Sequence, residues 1–196
     1  MAAIEITVVF ATFAGSVEQR DGEIAAAMAS TGAIERLYAY GAAAIHNNRA
    51  ELGEFDPFDQ FLVLLIREAI PHDELGEMNA VELLAFLIDR GWFFPENYRD
   101  REVGEIQYFE SNGEVFALGQ LVEYGFPTKL QKLRFALEED GRWYYDFWPL
   151  VDHIGSIWNA AVTAYDGPLD RWMVQALTEK LGHPPSDQLW IPHADR

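Results

Sequence analysis

Beyond Trp92-Phe93-Phe94-Pro95 the apolar residues of this chain stop recurring every three to four positions and begin to alternate. That change of period constrains the fold more than any other feature of the sequence. Val103 to Glu110 reads as a strand, and in the Ser111-Asn112-Gly113 that follows, the Asn-Gly pair tolerates the positive φ angles of a tight hairpin. Glu114 to Tyr124 answers it. Gly125-Phe126-Pro127 is the next turn, Lys129 to Leu137 a third strand, Glu138-Glu139-Asp140-Gly141 a further turn, and Arg142 to Trp148 a fourth strand. Connections this short predict an antiparallel meander, because parallel neighbours need crossovers of roughly a dozen residues or more.

The residues before the sheet carry helix punctuation. Ile4 to Phe13 is rich in β-formers yet lacks clean alternation, so strand and buried helix both remain open there. From Val17 the chain is alanine-rich through Ala29, and after Ser30-Thr31-Gly32 the residues Ile34, Leu37, Tyr38, Gly41, Ala44 and Ile45 recur at helical spacing. Asp56 suits an N-cap, Pro57 the first helical position, and Pro71 a stop; Phe58, Phe61, Leu62, Leu65, Ile66 and Ala69 form the inward stripe between them. Val63 and Leu64 are apolar too, which predicts a helix covered on most of its circumference. Asn79 with Glu82 makes an Asn form of the capping box, and Gly91 closes that helix.

After Pro149 ends the sheet, Ile154, Ile157, Trp158, Ala161, Val162 and Tyr165 mark an amphipathic helix, broken by Gly167-Pro168. Leu169, Trp172, Met173, Ala176, Leu177 and Leu181 mark another, which stops at Gly182. The tail from His183 is too proline-rich for regular structure and is expected to be pinned by Leu189, Trp190 and Ile191, with an exposed segment awaiting a partner as the alternative. The expected fold class is therefore α+β: a helical N-terminal half, a curved four-stranded antiparallel sheet over about residues 103–150, and two C-terminal helices. One domain over 1–196 is expected, with 183–196 an irregular tail.

Charge narrows the partners. Thirty-two Asp and Glu face 14 Lys and Arg, a formal charge of −18, with 16 carboxylates before Asn97 and 16 after it. Nucleic acid and anionic membrane need cationic patches, and the one small basic group is Lys129, Lys132 and Arg134, so neither partner is expected. A basic protein, steered by the acidic field, remains physically reasonable, beside the plainer reading that surplus acid keeps the protein in solution. The chain has no cysteine, which removes disulfides, thiolate nucleophiles and Cys-ligated metals. Ile4 to Phe13 carries Glu5 and follows no basic residue, a poor pattern for a signal peptide, and it is too short to span a bilayer; a cytoplasmic protein is expected.

No dinucleotide or phosphate loop, no nucleophile elbow and no His-Glu-x-x-His pairing occurs, so no cofactor or metal is expected. His153 beside Asp152 is better read as a helix N-cap and its neighbour than as a catalytic pair. In the strands, parity puts Trp143, Tyr145 and Phe147 on one face and Tyr144, Asp146 and Trp148 on the other, so both faces are expected to be covered or to line a cavity. Tyr108, Glu123, Tyr144 and Asp146 are polar groups among apolar neighbours and are the candidate ligand-binding residues. The plainer alternative is surface positions and hydrogen-bonded tyrosines.

The order of parts resembles the cone-shaped nuclear transport factor 2-like superfamily, which includes ketosteroid isomerase and scytalone dehydratase. The residues that carry the likeness are Val103-Gly-Glu-Ile-Gln-Tyr-Phe109, Glu114-Val-Phe-Ala-Leu-Gly-Gln-Leu121, Leu133-Arg-Phe-Ala-Leu137 and Asp140-Gly-Arg-Trp-Tyr-Tyr-Asp-Phe147. The resemblance implies a strongly bent sheet wrapped round a helix, a hollow that binds an apolar small molecule or a partner segment, and a homodimer through the outer sheet face. No catalytic dyad of that superfamily falls on this sequence, and the chain adds a longer helical portion before the sheet and two helices with a Pro-rich tail after it. Three functions follow as expectations. The first is a binding protein with a pocket between helices and sheet. The second is a pocket enzyme of isomerase or dehydratase type, with a desolvated Asp146 or Glu123 as proton acceptor and Tyr108 or Tyr144 as hydrogen-bond donor. The third is an acidic binder or inhibitor of a basic protein.

Overall fold

A computed structural model describes residues 2–92 and 100–196, with residues 129–131 described by their backbone alone. Phe93, Phe94 and Pro95, at the predicted change of period, lie outside the described residues, as does the Lys129 side chain of the small basic group. The chain divides into two compact units, one of Met1–Glu35 with Ala80–His153 and one of Arg36–Asn79 with Ile154–Arg196.

The first unit holds the sheet. Its strands β1 (Arg101–Ser111), β2 (Glu114–Glu123), β3 (Phe126–Leu137) and β4 (Trp143–Asp146) lie in the order β1-β2-β3-β4, antiparallel throughout, which is the α+β meander expected from the turn spacing. Asn112 and Gly113 take φ of 54° and 83°, the left-handed pair that a tight hairpin requires. The second hairpin departs from expectation. Its turn is Tyr124-Gly125, with φ of 52° and 79°, so β3 starts at Phe126, ahead of the predicted Lys129. Gly125 absorbs the backbone reversal, and the pairing Glu123↔Phe126 closes directly across it. Register breaks occur between Val103 and Ile106 and between Gln120 and Val122. The sheet is nonetheless not strongly curled, so the deep bend that the family resemblance implies is absent.

Residues 4–13, ambiguous between strand and helix, lie within α1 (Ala2–Gln19). Ile6, Val9, Phe10 and Phe13 fall on one helical stripe, and that stripe covers the sheet. Phe10 meets the Tyr145 ring edge-on at 5.3 Å, Phe13 meets it at 4.9 Å, and Phe13 stacks on Phe147 at 6.2 Å. With Phe135, these rings are fully buried. A short α2 (Gly22–Ala27), N-capped by Asp21, packs on α7 (Ala80–Asp89). The start of α3 (Thr31–His46) is tied to the sheet by Ser30 N donating to Tyr145 O (2.9 Å) and by Glu138, which accepts from the Thr31 amide (2.6 Å) and hydroxyl (2.7 Å). The predicted Gly91 stop is a Schellman closure: Trp92 N reaches Leu87 O at 2.9 Å and Gly91 N reaches Ile88 O at 2.8 Å.

In the second unit, α4 (Arg49–Leu52) starts at a full capping box of Asn48 and Glu51, a helix not expected from the apolar spacing. The predicted caps of α5 (Pro57–Ala69) hold, with Asp56 accepting from Phe58 N and Asp59 N. Short α6 (His72–Glu77) follows. α8 (Trp148–Ala164), whose residues up to His153 belong to the first unit, starts earlier than expected. Pro149 does not end the sheet before a loop but sits in the first helical turn, where its missing N–H costs nothing, and Asp152 is inside the helix rather than its N-cap. α9 (Leu169–Leu181) ends at Gly182, φ 80°, as predicted.

Arg67 organises this unit. It is 1% exposed, and its guanidinium donates to Ala44 O (2.8 Å), Ala43 O (3.1 Å), Asn47 O (2.6 Å) and Leu189 O (3.3 Å). A cation thus satisfies the bare carbonyls at the negative end of α3 and ties the C-terminal segment to the same point. Burial, and then the Arg196 charge, lower its pKa to about 10. Beside it Glu68 accepts from the Ser186 amide (2.7 Å) and hydroxyl (2.8 Å). The expected pinning of the tail is therefore present, through Leu189, Pro192 and His193, all buried, whereas Ile191 is exposed.

Two substitution tests follow from this packing. A Cβ on Gly22 would stand 2.1 Å from Ala85 O, a backbone atom, whereas one on Gly15, inside α1, meets nothing within 4 Å. Gly22→Ala should destabilise by about 1–3 kcal/mol and Gly15→Ala should stabilise by about 0.5–1 kcal/mol, read as opposite shifts of the urea midpoint. Replacing Arg67 by Met strands several buried carbonyls and should cost about 3 kcal/mol in the same assay.

Candidate functional site

The four residues singled out in the sequence do not converge. Register places Tyr108, Ala117, Phe135 and Tyr145 in one row across the sheet, on the face that α1 covers. Tyr108 ends that row on the edge strand, 49% exposed, its ring 5.8 Å from Trp143. Glu123 shares the same face by alternation but lies six residues along β2 from Ala117, roughly 20 Å away at the rise of a strand. Its carboxylate meets Arg101 Nε at 2.8 Å. Tyr144 and Asp146 face the opposite side.

Each of those two has a local partner. The Tyr144 hydroxyl donates to Asp140 at 2.8 Å, and that bond pushes the Tyr144 pKa up. Asp140 is held below the usual carboxylate range, first by the Arg142 amide and then by Tyr144. Asp146 Oδ2 meets Arg134 Nη1 at 3.1 Å, while its Oδ1 accepts from Trp148 N, also at 3.1 Å, so one carboxylate ends β4 and starts α8. Both carboxylates proposed as proton acceptors stand in ion pairs with arginines. A pocket between helices and sheet is expected from the sequence; the space between α1 and the sheet is occupied by Phe10, Phe13, Phe135, Tyr145 and Phe147.

The outer sheet face brings together groups that the sequence did not connect. Phe109, Phe116, Ala136 and Tyr144 form one cross-strand row; Gln107, Leu118, Arg134 and Asp146 form the next. Phe109 and Phe116 stack at 5.3 Å with 14° between their planes, and the Arg134 guanidinium lies 5.2 Å above the Phe116 ring. Arg134 is therefore held from two sides, by a carboxylate and by an aromatic face. Phe109 is 39% exposed, and Phe116, Leu118, Ala136 and Tyr144 are half-buried. Alternation along β2 puts Phe116 and Leu118 on one face. What joined them to Phe109 and Arg134 was the register, which no single strand contains.

Among the described residues no group of three or more His, Asp or Glu side chains could hold a metal ion, and no helix is long and apolar enough to cross a membrane. Comparison with protein-family models, with curated proteins and with solved structures finds no match for the chain.

The two paired carboxylates should behave differently on removal. Asp146 is largely buried and carries a helix-starting bond, whereas Glu123 has a side chain 31% exposed and a single ion pair. Asp146→Ala should cost about 1–2 kcal/mol and Glu123→Ala about 0.5 kcal/mol or less by chemical denaturation. Equal losses would contradict the assignment of Asp146 as the joint between strand and helix.

Proposed function

We propose that this chain is a binding protein that takes a partner segment on the outer face of its sheet. The observation that carries the reading is the Phe109–Phe116 stack with Arg134 above it, a ring pair partly open to solvent while Phe135 and Tyr145 of the opposite face are buried under α1. Exposed, preorganised aromatics flanked by an arginine are the residue types that dominate binding energy at interfaces, since they bury large area at little cost in side-chain entropy. Two of the residues suggested by sequence, Tyr144 and Asp146, border this patch, and Asp146 fixes the Arg134 head group. The face is acidic like the chain as a whole, which carries −18: Lys132 and Arg134 stand against Glu102, Glu105, Glu114 and Asp146 on it.

Small-molecule capture and isomerase-type catalysis both need the hollow beneath α1, and its occupation by five aromatic rings favours the segment-binding form of the hypothesis. The reading is tested by selecting displayed peptides on the full chain and mapping the tightest by amide chemical shift. Shifts should centre on Phe109, Phe116 and Tyr144, and Phe116→Asp should weaken binding about thirtyfold or more, as loss of a hot-spot side chain does, while Tyr38→Asp leaves it unchanged. Shifts centred on Phe10 and Phe13, or binding that survives Phe116→Asp, would overturn it. Sedimentation of the same preparation reports whether a second copy of the chain occupies the face.

A further inference from the structure

His193 is 3% exposed, in the short 3-10 turn His193–Asp195, and its imidazole is bonded through one nitrogen alone. Its Nε2 lies 2.8 Å from the carbonyl oxygen of Arg67, an acceptor, so the hydrogen is on Nε2 and Nδ1 carries the lone pair. Nδ1 is enclosed and has no hydrogen-bond partner among the described residues. A neutral ring tolerates this at modest cost. A protonated ring would present a second N–H to a place with no acceptor.

The cations around it act in the same direction, and one acid stands among them. From α5 come the Arg67 guanidinium and, one residue on, Glu68; from α6 comes His72, whose ring stands edge-on at 5.6 Å; from the C-terminal segment itself comes Arg196. Glu68, the neighbouring acid, is already taken by the Ser186 amide and hydroxyl and by Arg196 Nη2 at 3.4 Å. Burial lowers the His193 pKa; the bond to Arg67 O opposes it, and the Arg196, His72 and Arg67 charges, each a smaller effect than that bond, add to the lowering.

We propose that residues 186–196 form a strap that is released by acid, with neutral His193 as its latch. The strap is held by a small set of contacts: Leu189 O on Arg67, Ser186 on Glu68, Trp190 beneath the Arg49 guanidinium at 4.8 Å, and His193 on Arg67 O. Protonation strikes the centre of that set, because His193 and Leu189 both dock on Arg67. The sign follows from linkage. The docked ring binds a proton less readily than the undocked one, so docking is complete above the undocked pKa of about 6.5 and weakens as pH falls through it, by up to about tenfold per pH unit. Opening would uncover the Arg67 head group, a cation ringed by carbonyls. Unlike the outer sheet face, this element answers to the medium rather than to a partner.

Amide hydrogen exchange of residues 187–196 in the full chain, corrected for intrinsic rates, reads the opening constant directly. Between pH 7.5 and pH 5.0 it should rise about tenfold or more. His193→Gln keeps a neutral donor for Arg67 O and should hold the strap closed with little pH dependence, while His72→Gln should retain the dependence. An opening constant that stays flat over this range in the unaltered chain overturns the proposal, as does a pH dependence that survives in His193→Gln. Should His193→Gln fail to dock at pH 7.5, NMR titration of the wild-type imidazole decides: a folded-state pKa at or above about 6.5 refutes the latch, and one below it sustains it.

Discussion

The sheet unit depends on the contact of two phenylalanine rings of α1 with one tyrosine of β4. Phe10 and Phe13, three residues apart on one helical stripe, both meet Tyr145 edge-on, and Tyr145 in turn leans on Phe135 of the neighbouring strand. Edge-to-face geometry is favoured by the ring quadrupoles and fixes orientation as well as distance. It therefore sets the crossing of α1 over the strands. The same residue is anchored by its backbone, with Tyr145 N donating to Met28 O at 2.8 Å and Tyr145 O accepting from Ser30 N at 2.9 Å. One position of a four-residue strand thus joins the helix layer, the sheet and the link into α3.

The helical unit is organised by a cation instead of by rings. Burying a guanidinium without a carboxylate is unfavourable unless every donor finds an acceptor, and Arg67 finds carbonyls at the end of α3 and in the C-terminal segment. Those carbonyls would otherwise be orphaned by the end of the helix. The arrangement solves two desolvation problems with one side chain, and it ties the C-terminal segment to the end of α3. His193 lies one hydrogen bond from that point.

These two cores leave the outer sheet face as the surface on which function is most reasonably sought. It is patterned rather than merely exposed: stacked rings at the centre and an arginine fixed by a carboxylate beside them. The resemblance to the nuclear transport factor 2-like superfamily directed attention to the opposite side, to a hollow between helix and sheet. Here that side is filled by aromatic packing, and the sheet that would have to enclose a ligand is not strongly curled.

Local chemistry made several features legible in the sequence alone. Asn112-Gly113 could accept positive φ and so announced a hairpin, Asp56-Pro57 started α5, and Gly91 and Gly182 closed their helices, because each depends on the conformational limits of one or two residues. The helical state of residues 4–13 was not legible, since branched and aromatic residues suit a strand as well as a buried helix. The stripe of Ile6, Phe10 and Phe13 became decisive only with a sheet to cover. Nor could parity within a strand reveal that Tyr108 and Glu123 lie far apart, that Asp146 meets Arg134, or that Phe109 meets Phe116. Those facts belong to register and to tertiary packing, where residues distant along the chain are brought into contact, and no local preference encodes which of them will meet.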